Sequence, residues 1–538
     1  MSSRSARPTR LVSRRAVLAA AASGLAASTI RGVRGVFGQP DATGRATLLA
    51  AEGLVVASQP SAAQIGLDTL QAGGTATDAA LAAAAAVIVL EPQTAGLGGD
   101  LAGLVFDVTS GETYGLRSIG PSRGAAHTPG CVDGLVALHG RFARKPLSDL
   151  LAPAIELAEN GRPTGERTSL AWQRAAGRLH IDDTLVHPLL PGGGPPELGR
   201  RVPRPDLAAT LRLIALRGRG PIYDGAIAGS LLTALNESIA PAATSEKTPT
   251  NAASPEAAPT PLTPSDLARQ NAEWLSPARI AYRGRTIVAL PDAAATLQAL
   301  SLLVPYDVRA IPQRSAALVH LLTEAWKIAA SDGRPLTERL DPGDVATTRR
   351  RLDPNVAAVQ LVPPAAGESS TTVTAIDRDG NQCVLTLTMG DPFGTGRLLP
   401  STGLLLGTDP AERLPQPLMV LQDDAPIAAL GVCGPGHPTL LATEAVTGLL
   451  DFGRLPQQAV DQPRFDVAAT PSGAAAHRPV LALEPRWPPE TRAALARRGH
   501  ALATTDTLGR LSLATRRAIE NVLLGGAESR DDSRVVGY

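Results

Sequence analysis

The chain of 538 residues has little of what most enzyme chemistries draw on. Cysteine occurs three times, at 131, 383 and 433. An odd, widely spaced set gives no support to a disulfide framework, and without close Cys or His pairs there is no zinc-site spacing; the three read as small buried hydrophobes. Lysine occurs only at 145, 247 and 327, which leaves few candidates for Schiff-base chemistry. Aromatic residues are 3% of the chain, too few for base-stacking platforms. Charge is balanced, 51 basic against 50 acidic residues, so no electrostatic footprint marks a nucleic-acid or acidic-membrane partner. The eight histidines (127, 139, 180, 187, 320, 437, 477 and 500) show no ligand-like spacing. No Gly-x-Ser-x-Gly elbow, His-Glu-x-x-His helix or phosphate loop is present. The sequence points to no cofactor and no metal.

What is there is ordinary globular material: 44% hydrophobic and 19% charged residues, with a core that must come from Ala, Val, Leu and Ile. Ser13-Arg14-Arg15-Ala16-Val17-Leu18 precedes an Ala-rich run to Ala27. Paired arginines ahead of a short apolar segment predict a bacterial twin-arginine export signal over residues 1–40 and a periplasmic destination, with a basic tail as the plainer alternative. The run falls short of the roughly 20 residues of a membrane span.

From Leu48 onward strand and helix patterns mix. The spacing predicts a strand at 53–58, helices at 62–72 and 79–89, a Gly-rich turn at 96–99, a strand at 103–107 and a helix at 148–160. Helices are expected again at 297–303 and 316–330. Residues 240–264, rich in Ala, Pro, Thr and Ser, predict an exposed, disordered insertion.

The most informative stretch is Thr371 to Asn381, a β-branched strand ending in an Asp-Gly turn, followed by a second strand at 382–389. Thr386 and Thr388 share one face of that partner strand. Threonine is common in strands, so β-propensity alone explains the pattern. A sharper reading is an N-terminal nucleophile: a hydroxyl at a strand edge cuts its own preceding peptide bond, and the freed α-amine becomes its base. Gly367-Glu368-Ser369-Ser370 would supply the flexible, exposed segment this needs.

Taken together, a series of landmarks resembles the γ-glutamyltranspeptidase family. They are Glu91-Pro92, Gly96 to Gly99, Pro129-Gly130-Cys131-Val132, Leu151 to Ala154, Leu262 to Leu267, His320 with Glu324-Ala325, Asp377 to Asn381, Phe393 to Gly396, Pro463-Arg464-Phe465, and Gly525 to Glu528 with Gly537-Tyr538. The resemblance implies a four-layer αββα sandwich of the N-terminal-nucleophile hydrolase type, an α/β fold. It also implies a large-subunit-like region at 48–369 and a small-subunit-like region at 370–538, which stay associated after cleavage. The implied chemistry is γ-glutamyl or related acyl transfer or hydrolysis through an acyl-enzyme, with water, an amino acid or a peptide as acceptor and no cofactor.

Counted back from the Asp-Gly-Asn turn, the family's nucleophile falls on Ser370; a one-residue deletion would move it to Thr371. Thr388 matches the second threonine, which orients the nucleophile, and Gly436 and His437 match the oxyanion pair. The substrate's α-carboxylate arginine falls on Ile119, with Arg117 and Arg123 nearby, and its serine partners fall on Met419 and Val420. Gly390, Asp409 and Glu412 take the positions around the substrate amine. The altered pocket leaves two further expectations: an acylase for another amide, or an uncut family member acting as a scaffold or binding protein.

Overall fold

The computed structural model describes residues 44–179, 187–239, 260–358, 362, 369–410, 414–468, 479–506 and 508–538. The expected export signal at residues 1–40, Glu412 and residues 240–259 of the Pro-rich stretch lie outside them. The end of that stretch is ordered, contrary to expectation. Leu262 is buried and its N–H donates to Asn236 Oδ1 at 2.7 Å, and Thr263 caps the helix Pro264–Ala268 together with Asp266.

Apolar and β-branched residues build two seven-stranded sheets in which every neighbouring pair is antiparallel. One runs in the order Leu48–Ala50, Val522–Gly526, Arg510–Arg517, Ala425–Cys433, Gln416–Gln422, Arg285–Ala289, Ala278–Tyr282. The other runs Arg534–Gly537, Leu54–Ala57, Ser370–Ile376, Gln382–Thr388, Asp100–Asp107, Glu112–Ser118, Glu273–Leu275. Helices Pro60–Gln71, Ala76–Leu90 and Cys131–Phe142 cover the outer face of the second sheet, and Leu147–Asn160 and Pro205–Arg217 pack outside them. Ala294–Leu303, Ala316–Ala330 and Pro438–Leu450 cover the first. The result is the expected αββα sandwich. Nearly every residue of the helix Ala76–Leu90 is buried, and its alanines let neighbouring elements approach closely.

Between the sheets lie two small apolar cores, one around Phe106, Met419 and Ala429 and one around Leu54, Ile376 and Leu523. They are joined by a polar seam in which Ser512 Oγ meets Thr372 Oγ1 at 3.0 Å and Thr374 Oγ1 at 2.9 Å. Gly431 makes that seam possible. A Cβ there would fall 2.6 Å from Thr372 Cβ and 2.7 Å from Ser512 Oγ.

Helix Ala316–Ala330 sets His320, Glu324 and Lys327 against the chain upstream of Ser370. His320 Nε2 lies 2.8 Å from the Asp353 carbonyl, Glu324 accepts the Ala358 N–H at 3.0 Å, and Lys327 Nζ donates to the Ala358 carbonyl at 2.6 Å. His320 Nδ1 and His500 Nε2 are 2.8 Å apart. Residues that sequence spacing left scattered thus share one buried cluster, where the Lys327 ammonium, 2.7 Å from Glu324, supplies the positive charge.

Two outcomes follow from this packing. Gly431→Val forces the sheets apart and should lower unfolding stability by about 1–3 kcal/mol, read by thermal melting. Burial, reinforced by His320, Lys327 and Arg498, pushes the His500 imidazole down to about 3. Below the unfolded value of about 6.5 the unfolded chain takes up a proton that the native chain refuses, so stability falls as pH drops from 6.5 toward 3. His500→Gln should flatten that slope in melts recorded across the window.

Candidate active site

Side chains alternate along the strand Ser370–Ile376. Thr372, Thr374 and Ile376 face the opposite sheet, and Val373 and Ala375 face the helices. This parity separates the two candidate nucleophiles. Thr371 falls on the helix side, where its hydroxyl donates to Ser58 Oγ at 2.8 Å and Ser58 donates to Glu91 Oε2 at 2.9 Å. Ser370 falls on the inter-sheet side, and its Oγ accepts the Gly434 N–H at 3.0 Å from the end of the facing strand. The Ser370 carbonyl accepts from Arg510 Nη1 at 3.2 Å.

The peptide bond before Ser370 is also held. The Ser369 carbonyl accepts the Met389 N–H at 2.9 Å and the Thr388 hydroxyl at 3.1 Å, and Thr388 Oγ1 in turn accepts the Gly390 N–H at 3.0 Å. The Ser369 hydroxyl donates to the Gly390 carbonyl. The resemblance implies that Thr388 holds the nucleophile; Ser370 and Thr388 are cross-strand partners, yet the Thr388 hydroxyl goes to the carbonyl one residue earlier. Ser369 was expected in an exposed segment and is buried, 3% exposed. Gly367 and Glu368 lie outside the described residues.

The loop Gly434-Pro435-Gly436-His437 carries the donor to Ser370. Gly434 and Gly436 have φ of +87° and +98°, conformations that glycine adopts without a steric penalty. The expected donor His437 is committed elsewhere: its N–H goes to Asp466 Oδ2 at 3.1 Å, and its Nδ1 lies 2.8 Å from Asp466 Oδ1. Gly436 packs against that same carboxylate, where a Cβ would sit 2.3 Å from Oδ2. Gly434, Arg510, Asp466 and the Met389 N–H were not anticipated; the Gly-Pro-Gly run just ahead of helix Pro438–Leu450 is the signal that could have marked the loop. Beside Pro435, Arg510 and Glu91 opens a cavity of about 270 Å³. Burial pushes the Asp531 carboxyl above the usual carboxylate range, against the opposing pull of Arg510, whose Nε lies 3.2 Å away.

The expected substrate-binding positions are less gathered. Arg117 is on the third strand from Ser370, about 14 Å away by strand spacing, and is bound to Glu273 at 2.8 Å and Asp292 at 3.3 Å. Arg123 pairs with Asp266 at 3.1 Å. Met419 is buried between the sheets and Val420 under the helices. Gly390 serves the junction through its backbone, and its φ of +77° and the Thr408 carbonyl, 2.1 Å from a built Cβ, leave no room for a side chain. Asp409 is exposed. Next to Thr388 in register stands Asp100, whose carboxylate accepts the Gly120 and Gly130 N–H groups at 3.1 and 3.2 Å and lies 2.6 Å from His127 Nε2. Burial opposes charge on His127, but Asp100, with help from Asp409, outweighs it and raises the imidazole above the usual histidine range.

Comparison with known proteins completes the picture. The family model described as Gamma-glutamyltranspeptidase matches residues 62–413 and 414–538. The chain is 30% identical to the Acylase ACY 1 proenzyme of Pseudomonas sp. (strain SE83), covering 83% of this chain and 87% of that one. It is 25% identical to the Glutathione hydrolase proenzyme of Pseudomonas sp. (strain A14), covering 79% and 83%. In structure it resembles the crystal structure of a cephalosporin acylase from Bacillus halodurans, with a TM-score of 0.79, 25% identity, and coverage of 93% of this chain and 98% of that one. No described helix is long and apolar enough to cross a membrane. The hairpin that begins at Ser370 and the match running from residue 62 to the C-terminal tyrosine lead to one conclusion: the chain belongs to the γ-glutamyltranspeptidase family.

Proposed function

We propose that the chain is an exported, self-cleaving amide hydrolase of the acylase kind, with Ser370 as its N-terminal nucleophile. The observation that carries this reading is the pair of donors, Met389 N–H and Thr388 O–H, on the carbonyl of the bond to be cut. As Ser370 Oγ adds to the Ser369 carbonyl carbon, negative charge grows on that carbonyl oxygen, and preorganised donors there lower the barrier. The C–N bond then breaks, the nitrogen takes up the proton that Oγ gives up, and the acyl group sits on Oγ as an ester. Water hydrolyses the ester, releasing a carboxylate at Ser369 and the α-amine of Ser370. In turnover that amine accepts the Oγ proton while Oγ attacks a substrate amide, and the departing amine carries the proton away. Water, or an acceptor amine, then takes the acyl group. Gly434 N–H orients Oγ throughout. Export rests on Arg14-Arg15 ahead of the apolar run.

The acyl group is read from what the pocket does not offer. Arg117 and Arg123 are already paired, and Met419 and Val420 stand where serines would hold an α-carboxylate. The 30% identity to an acylase and the fold match to a cephalosporin acylase support the same reading. The exposed Asp409 favours an acyl group that bears an amine.

Intact mass spectrometry tests the nucleophile. The parent chain should give a fragment beginning at Ser370, Ser370→Ala should stay whole, and Thr371→Ala should cut normally. A fragment beginning at Thr371 would move the nucleophile, and a whole parent chain would favour the scaffold reading. Thr388→Val should slow the cut roughly 100-fold, the usual cost of one such donor.

The acyl group is tested with 4-nitroanilides of γ-glutamate, 4-aminobutyrate, glutarate and butyrate, which differ only in the amine and the carboxylate. Losing the carboxylate should change kcat/KM less than threefold, and losing the amine should cost about 10- to 150-fold, since a hydrogen bond to a charged group contributes about 1.5–3 kcal/mol. A hundredfold preference for γ-glutamyl over 4-aminobutyryl would restore the glutathione-hydrolase reading.

A further inference from the structure

The imidazole of His437 stands where the family resemblance places a glycine, and it is not idle. Nδ1 lies 2.8 Å from Asp466 Oδ1, the His437 N–H donates to Asp466 Oδ2, and the ring packs on Trp326 with centroids 4.5 Å apart. Both members of the pair are almost fully buried, their side chains 6% and 8% exposed. A buried carboxylate that accepts a backbone N–H and an imidazole N–H has little freedom, and whatever it binds is fixed with it. It binds the end of the loop whose beginning, Gly434, donates to Ser370 Oγ.

The other side of the loop is held as firmly. Gly509 N–H donates to the Pro435 carbonyl at 2.7 Å, and Arg464 Nη1 donates to the Leu508 and Gly509 carbonyls at 2.9 and 2.6 Å. Arg464 is itself tied to Glu528 at 2.7 Å. Arg464 and Asp466, two residues apart, therefore grip the two loops that flank Ser370: 508–510, which places Arg510 on its carbonyl, and 434–437, which places an N–H on its hydroxyl. Glycine at 436 is required because a side chain would displace the Asp466 carboxylate.

We infer that Asp466, braced by His437, is a positioning residue: it fixes the Gly434 N–H on the reacting Oγ without touching the reacting atoms. The inference rests on the self-cleavage reading, and it predicts an effect on rate rather than on folding. Asparagine keeps an oxygen for the His437 N–H, whereas alanine does not.

The test is a timed cell-free translation quenched for mass spectrometry, which gives the first-order rate of the cut in the parent chain, Ser370→Ala, Asp466→Ala and Asp466→Asn, beside thermal melts of Ser370→Ala chains with and without Asp466→Ala. Asp466→Ala should cut at least tenfold more slowly than the parent and Asp466→Asn within threefold of it, while the Ser370→Ala chain carrying Asp466→Ala, though melting at a lower temperature, stays folded and cooperative at the temperature of the assay. A parent-like rate in Asp466→Ala, or equal slowing in both variants, would overturn the role of Asp466 while leaving Ser370 in place. A parent that never cuts would instead remove the reading beneath it. If Asp466→Ala yields no folded chain, Asp466→Ser, too short to reach the His437 N–H, takes its place with the same expectations.

Discussion

Two sheets meet at Ser370 with almost nothing between them, and the rest of the molecule is arranged around that close approach. At Gly431 even one methyl group would collide with Thr372 and Ser512. Only hydroxyls small enough to bond one another fit in the seam. The approach is what lets a backbone N–H from one sheet, that of Gly434, reach a side chain at the start of a strand in the other. The alanine-packed helix outside the second sheet and the leucine-rich helices outside the first hold the two layers together from either side.

The junction at Ser369 and Ser370 divides its donors by atom. The hydroxyl of Ser370 is served from the opposite sheet by Gly434, and the carbonyl before it is served from the neighbouring strand by Met389 and Thr388. Strand parity enforces the division. Consecutive residues face opposite ways, so Thr371 cannot share the site and is absorbed into the Glu91 network behind it.

Much of this was legible beforehand. Helical spacing over 316–330 and the Asp-Gly turn of the hairpin come from local rules, and the structure follows them: the helix spans Ala316–Ala330 and the strands Ser370–Ile376 and Gln382–Thr388. The αββα layering came only through the resemblance, and the strand order was not legible at all, because no local pattern tells Arg534–Gly537 to lie beside Leu54–Ala57. Ser370 and Thr388 entered as candidates only through the resemblance, counted from the Asp-Gly-Asn turn, whereas the Gly434 and Met389 N–H groups have no letter of their own. His437 illustrates the opposite error: counting placed it at the oxyanion position, but the partner that takes its N–H, Asp466, is 29 residues further on. Arg117 looked available because nothing nearby in sequence announces Glu273 or Asp292.

The interleaving of the strands decides what a cut before Ser370 would do to the molecule. Residues before Ser370 supply Leu54–Ala57, Asp100–Asp107, Glu112–Ser118 and Glu273–Leu275 to one sheet, and Leu48–Ala50, Ala278–Tyr282 and Arg285–Ala289 to the other; residues after it supply the remaining strands of both. The Ser370 strand itself is wedged between Leu54–Ala57 and its own hairpin partner. Neither piece could keep a complete sheet alone. A chain that folds as a single body would thus become, by losing one peptide bond, an obligate two-chain assembly whose unfolding is a dissociation. Its apparent stability would then depend on protein concentration, as that of the intact precursor does not.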